Sequence, residues 1–302
     1  MLTRRQLIAT TALAALSAAA GPTSAQEKLK VLASFSILGD FVKNVGGDRV
    51  EVATLVGPNG NAHVYSPSPA DAKKVADAKV VFVNGLGFEG WLDRLVKASG
   101  TKAPIVVATK GIKPRERGGD AQGHDHGRAD PHAWQSVANA RVYVANIRDA
   151  LIRADPAGKA EYEGNAAAYA GKLDALEREV KDAIAKIPAD RRRLITSHDA
   201  FGYFEAAYGI KFIAPQGVST EAEASAKDVA AIIAQIRKQK ITAVFLENIT
   251  DPRPVTRIAS ETGAKIGGTL YSDALTDEKG DAPTYIHLIR HNVKQLAGAL
   301  TS

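Results

Sequence analysis

The amino-acid sequence predicts an α/β protein of two lobes, each built on a mostly parallel sheet and bridged by one long α-helix. Three observations predict it. Short apolar runs alternate with amphipathic stretches in the first half of the chain, the pattern breaks between residues 156 and 188, and it resumes afterwards. In the first stretch, 29–33, 50–56, 80–83 and 105–108 read as strands, with helices at 37–45, 69–77 and 89–98 between them. A strand, a helix and another strand at this spacing form parallel pairs with helices on the sheet faces. The second stretch gives strands at 194–196, 211–213, 243–246 and 264–267. Helices at 201–208, at 225–239 and from 253 separate them, and a last helix covers 283–300.

The break between the two stretches is itself regular. Beyond Pro156 no proline or paired glycine interrupts the chain until Pro188. Tyr162, Ala166, Tyr169, Leu173, Leu176, Val180 and Ile184 recur every three or four residues, the period of a helical stripe. Asp155-Pro156 reads as a cap followed by proline in the first turn. About 30 residues of helix make a rod roughly 45 Å long. A stiff rod limits how far two lobes can hinge.

The chain has 302 residues, 45% apolar and 24% charged, which suits a folded protein of this size. It has no cysteine, which excludes disulfide scaffolds, thiolate metal sites, Fe–S clusters, a cysteine nucleophile and a lipid-anchored N-terminal cysteine. The formal charge is +6, no basic block exceeds Arg191-Arg192-Arg193, and aromatics make up only 6%. Those features argue against a nucleic-acid partner. At the N-terminus, Arg4 and Arg5 precede an apolar run at 7–20, and Thr23-Ser24-Ala25 fits a small-residue cleavage site. The run is short of the roughly 20 residues that span a bilayer. It reads as an export signal, and Thr3-Arg4-Arg5-Gln6-Leu7-Ile8 also suits the twin-arginine route as well as the general one. The expected division is therefore 1–25 export signal, 26–155 N-terminal lobe, 156–188 linking helix and 189–302 C-terminal lobe. The glycine-rich, acidic segment at 118–127 carries His124 and His126 and is expected to be a mobile loop.

Chemistry-bearing residues gather at junctions between elements. His63 lies in the loop after the second strand, His132 in Asp130-Pro131-His132-Ala133-Trp134, and His198 directly after a strand. Asp273 follows the strand at 264–267. In α/β sheets such junctions converge on one crevice. Separations of 69, 66 and 75 residues mean that only the fold can assemble a site from them. Taken singly, a junction histidine or a turn aspartate is a cap or a hydrogen-bonding residue. His287 and His291, four apart on the last helix, have chelating spacing but no third ligand near in sequence.

Taken together, these segments resemble the metal-binding solute-binding proteins of ABC importers for zinc and manganese. His63-Val64-Tyr65-Ser66-Pro67-Ser68-Pro69 is similar to that family's first ligand segment, and Asp130 to Trp134 to its second. Thr196-Ser197-His198-Asp199-Ala200-Phe201-Gly202-Tyr203-Phe204 resembles the third in the zinc branch, and Leu270-Tyr271-Ser272-Asp273 the fourth. Gly85-Leu86-Gly87-Phe88-Glu89 and the segment around Thr220 are also similar, so the likeness spans essentially the whole mature chain. Asn61-Ala62 stands where the family commonly has Asp-Pro, and the loop has only His124 and His126 as accessory metal contacts. The resemblance implies a periplasmic, monomeric zinc-binding protein with ligands His63, His132, His198 and Asp273. Its implied partners are a membrane permease and, as a candidate loader, a zinc metallochaperone.

Three imidazoles and one carboxylate suit Zn2+, which takes four such ligands. Manganese prefers harder, oxygen-rich sites, and manganese members of the resembled family tend to carry glutamate where this chain has His198. Metal affinity is expected to fall as pH drops through about 6.5, where unperturbed histidine protonates. Two alternatives accompany this reading: a manganese-binding protein of the same family, and a secreted zinc hydrolase with Glu247 as general base. Asp273 in the fourth position and the lack of a His-Glu-x-x-His helix argue against an enzyme.

Overall fold

The computed structural model describes residues 27–116 and 129–301. The export signal with Ala25 and the loop histidines His124 and His126 lie outside the described residues.

The first lobe begins with β1 (Leu29–Phe35), α1 (Ser36–Gly46) and β2 (Val50–Val56). It continues through α2 (Pro69–Asp77), β3 (Val80–Val83), α3 (Leu92–Ser99) and β4 (Ile105–Val107). Its four strands are parallel in the order β2-β1-β3-β4, with Val31 level with Val52 on one side and Val80 on the other. The flanked strands β1 and β3 are almost wholly buried, which is why they read as continuous apolar runs. The edge strand β4 leaves Ile105 and Val107 exposed. A two-residue ladder, β5 (Arg115–Glu116) against β6 (Ala129–Asp130), runs antiparallel beside the sheet.

Two helices then follow one another, α4 (Val137–Ala154) and α5 (Lys159–Ala185). The buried Val137, Ala140, Tyr143, Val144, Ile147 and Leu151 of α4 carry the same period as the rod and place a second long helix directly ahead of it. In α5 the seven buried residues are the seven of the predicted stripe. The rod starts later than expected, because Pro156–Gly158 form a 3-10 turn. Asp155 does not cap it with its side chain. Its carboxylate instead accepts from Arg49 Nε at 3.0 Å and from Tyr162 Oη at 2.8 Å, tying the start of the rod to the first lobe.

The second lobe comprises β7 (Arg193–Ile195), α6 (Gly202–Tyr208), β8 (Lys211–Ile213) and α7 (Ala226–Gln239). It ends with β9 (Ala243–Glu247), α8 (Arg253–Thr262), β10 (Lys265–Leu270) and α9 (Tyr285–Thr301). Its sheet is also fully parallel, in the order β10-β9-β7-β8. Read from the β8 edge, the strands stand second, first, third, fourth in chain order, as they do in the first lobe. Each half therefore has a switch point between its first and third strands, where loops diverge and a crevice opens.

The long helix α5 packs on α1 and α4 from one side of the chain and on α6 and α9 from the other. One hydrophobic core accordingly runs from Val31, Phe41 and Phe82 through Leu173 and Leu176 to Leu288, Ile289 and Leu296. A second, smaller core lies under α7 and α8, built from Ile195, Val229, Ile232, Val244, Val255 and Ile258.

Candidate metal centre

Each side chain of the site is set by a local device. Past β2, Asn61 Oδ1 accepts the His63 N–H at 3.0 Å, a turn closed by the side chain two residues earlier. Trp91 Nε1 donates to the intervening Ala62 carbonyl at 2.7 Å. The same device recurs past β6, where Asp130 Oδ1 accepts the His132 N–H at 2.9 Å. Asn84 Nδ2 donates to the Pro131 carbonyl at 2.9 Å, and Tyr143 Oη holds Asn84 in turn. Asn61 thus builds at the first segment the turn that an aspartate builds at the second.

The second lobe uses its strand ends. Glu247, the last residue of β9, accepts the N–H groups of Ser197 and His198 on Oε1 at 2.8 and 2.9 Å. Asp273 follows β10, and the carbonyl of Ser272 before it accepts from Trp134 Nε1 at 2.9 Å and Gln135 Nε2 at 2.7 Å. Two side chains that adjoin His132 in sequence therefore seat a residue of the opposite lobe.

Four groups meet in the crevice. His63, His132, His198 and Asp273 place one donor atom each within 4.8 Å of one another. The Asp273 carboxylate lies 3.1 Å from His63 Nε2, 3.2 Å from His198 Nε2 and 3.6 Å from His132 Nε2. His63 Nε2 and His132 Nε2 are 3.2 Å apart. His132, His198 and Asp273 are fully buried and His63 is 6% exposed. Neither Asp273 oxygen has a well-aligned hydrogen bond, and their neighbours are the three imidazole nitrogens. A buried carboxylate ringed by imidazoles needs positive charge beside it, supplied either by protonated imidazole or by a cation at the point where the three nitrogens converge. Phe88 closes one wall, with its ring 4.8 Å from that of His63, and Trp134 another, 5.3 Å from His132.

Carboxylates stand behind two of the rings. Asp130 Oδ1 is 2.8 Å from His132 Nδ1, and Glu247 Oε2 is 2.6 Å from His198 Nδ1. Such partners fix ring orientation and leave Nε2 to face the crevice. Burial pulls the His132 imidazole down, but Asp273 and Asp130 outweigh it and raise it to about 9. For His198, burial is likewise opposed by Glu247 and Asp273, which push it well above the ordinary histidine value. His63 is lowered by burial, which here outweighs Asp273. Burial would raise Asp273, but His132 and His198 hold it well below the usual carboxylate range.

The two other described histidines, His287 and His291, stand apart from this cluster. His287 Nδ1 pairs with Thr284 Oγ1 at 2.7 Å, and His291 Nε2 lies 3.0 Å from the Thr269 carbonyl. Among the described residues, the four crevice groups are the one set of three or more with metal-binding proximity. Glu247 is turned toward His198 and two backbone N–H groups, the arrangement of a positioning carboxylate. Sequence reasoning did not single out Gln135, since a glutamine inside a ligand segment carries no signal until the fold brings Ser272 to it.

Comparison with known proteins bears on what this arrangement is for. The chain is 38% identical over 291 residues to the "Iron-binding protein YfeA" of Yersinia pestis, covering 96% of this chain and 91% of that protein. It is 32% identical over 294 residues to the "Manganese ABC transporter substrate-binding lipoprotein PsaA" of Streptococcus pneumoniae, covering 95% and 94%. Among solved structures, the periplasmic zinc binding protein TroA from Treponema pallidum superposes with a TM-score of 0.85 at 30% identity, covering 91% of this chain and 100% of that one. A Mn-bound periplasmic metal binding protein from Candidatus Liberibacter asiaticus gives 0.80 at 33%, with the same coverage. The pattern of the family described as "Zinc-uptake complex component A periplasmic" matches residues 31–299. With its two parallel-sheet lobes, its long helix and its relatives on either side of the zinc and manganese divide, the chain belongs to the ZnuA family of metal-binding solute-binding proteins of ABC importers, which are carriers and not enzymes.

Proposed function

We propose that this protein is exported to the periplasm and closes His63, His132, His198 and Asp273 around one zinc ion, which it passes to the membrane permease of its importer. The observation that carries the reading is the convergence of the fully buried Asp273 carboxylate with three imidazole nitrogens, one donor atom from each group lying within 4.8 Å of the others. Three nitrogens and a carboxylate match the borderline preference of zinc. On this reading the first lobe (26–155) and the second (189–302) each supply two ligands, and the helix between them sets the crevice width. The protein works as a monomer after loss of residues 1–25, and a metallochaperone is a candidate loader. Among the described residues no helix is long and apolar enough to cross a membrane.

One observation favours a second reading. Because both Asp273 oxygens face imidazole nitrogens of the crevice, the carboxylate can bind through both and give five donor atoms, which suits manganese better than a strict tetrahedron does. The relatives described as binding manganese or iron support the same alternative. Elemental analysis of protein taken from its native compartment decides between them. Zinc as the metal recovered with the native protein supports the first reading and manganese the second, since competition alone favours zinc at any such site. Joint His198→Ala and Asp273→Ala replacement is expected to cost far more affinity than joint His124→Ala and His126→Ala replacement; equal losses would remove the ligand assignment.

A further inference from the structure

The four site groups are shut away from solvent, so a cation reaches them only when something at the surface shifts. Where Asn61 of the first lobe meets the second lies a cavity of about 180 Å3, walled by chain neighbours of His63 and His198 and not by the four groups themselves. Its wall includes Ser197, which directly precedes His198, and Asn61, two residues ahead of His63. Thr220, Thr250, Glu223 and Asp251 add further oxygens to the lining. Ser197 is 5% exposed and its Oγ has no hydrogen-bond partner, and Thr250 Oγ1 is also unpartnered. Hydroxyls left open in this way are suited to replace water around a passing cation; Asp251 at the wall is ion-paired with Arg253, so Glu223 is the carboxylate left to attract one.

One side chain spans the lobes here. Asn61 Nδ2 donates to Thr220 Oγ1 at 2.8 Å and to the Ile249 carbonyl at 3.2 Å. The Thr220 hydroxyl can equally donate to Asn61 Oδ1, 3.1 Å away. That same Oδ1 accepts the His63 N–H, so a single amide joins a ligand loop of one lobe to the rim of the other. An aspartate at 61 would still accept from His63 but would turn a carboxylate toward the Ile249 carbonyl.

The geometry points to this cavity as the passage by which a divalent cation reaches and leaves the site, with the Asn61–Thr220 contact as its gate. The inference rests on the metal-carrier reading above. It is tested by loading the purified full chain with Co2+, recording its visible spectrum, and following uptake and chelator-driven release by stopped flow. Loss of one partly buried hydrogen bond in Thr220→Val is expected to speed both release and uptake about fivefold with an unchanged spectrum. Thr220→Ser, which keeps the hydroxyl, returns both rates to the original. Glu223→Gln slows uptake about twofold at low ionic strength, because it removes attraction along the path. Release from Thr220→Val at the original rate, a shifted spectrum in that variant, or undiminished uptake by Glu223→Gln would each overturn the passage. If the unaltered protein takes up no Co2+, it is the site reading that fails instead.

Discussion

The three imidazoles of the crevice hold their protons very differently. In the metal-free protein His132 is raised to about 9 and His198 is raised as well, whereas burial lowers His63. Coordination requires neutral imidazole, so a metal arriving at pH 7 expels protons from the first two. The sign follows directly: affinity should rise with pH between 7 and 9, above the window near 6.5 expected for unperturbed histidine. Calorimetric titration in buffers of different ionisation enthalpy measures the released protons, and a dissociation constant that is flat from pH 7 to 8.5 would contradict it. Glu247→Gln, which weakens the support behind His198, should lower metal affinity ten- to a hundredfold by competition titration, with the fold intact. His63, His132, His198 and Asp273 could be picked out as candidates because each sits in a segment with turn-forming or strand-end neighbours, and the fold brings the four together. Gln135 could not, because its task depends on a carbonyl 137 residues away.

At the scale of elements, most strands and helices were written plainly in local pattern. β2, α2 and β3 have the bounds expected from apolar runs alternating with amphipathic stretches. Ser68 and Asp71 form a reciprocal cap at the start of α2, followed by Pro69. Ser68→Ala should therefore destabilise the protein by about 1 kcal/mol in chemical denaturation. Burial would raise the Asp71 carboxyl, but Ser68, Lys74 and Tyr65 outweigh it and hold it below its usual range. Its contribution to stability is thus complete above the ordinary carboxylate value and is lost as pH falls below it. What stayed hidden depended on distant partners. Asp155 looks like a cap in sequence, yet Arg49, 106 residues away, takes its carboxylate. Gly202, the first residue of α6, is another such case: a Cβ there would stand 2.5 Å from Asp130 Oδ2. Gly202→Ala is expected to displace Asp130 from behind His132 and to weaken metal binding measurably, although residue 202 touches no ligand.

At the scale of the molecule, the crevice ties together two halves of the same strand order. A metal that binds only the folded state should raise stability by about 4 kcal/mol at a free concentration one thousand times its dissociation constant. Differential scanning calorimetry with and without zinc checks this, and an unshifted transition would contradict binding at a site shared by both lobes. The two-lobe plan was readable from the break and resumption of the strand–helix rhythm. The sharing of one core by both lobes was not, since it arises where α5 receives α1 and α4 on one side and α6 and α9 on the other. That shared interior has a mechanical corollary for unloading. Spreading the halves like the covers of a book would tear the larger apolar body that they own jointly. The slab formed by α7 and α8 rests on its own small interior, and Thr220 lies on the stretch of chain leading into it. On the proposed carrier reading, displacing this slab would open the crevice while the spine of the carrier stays whole.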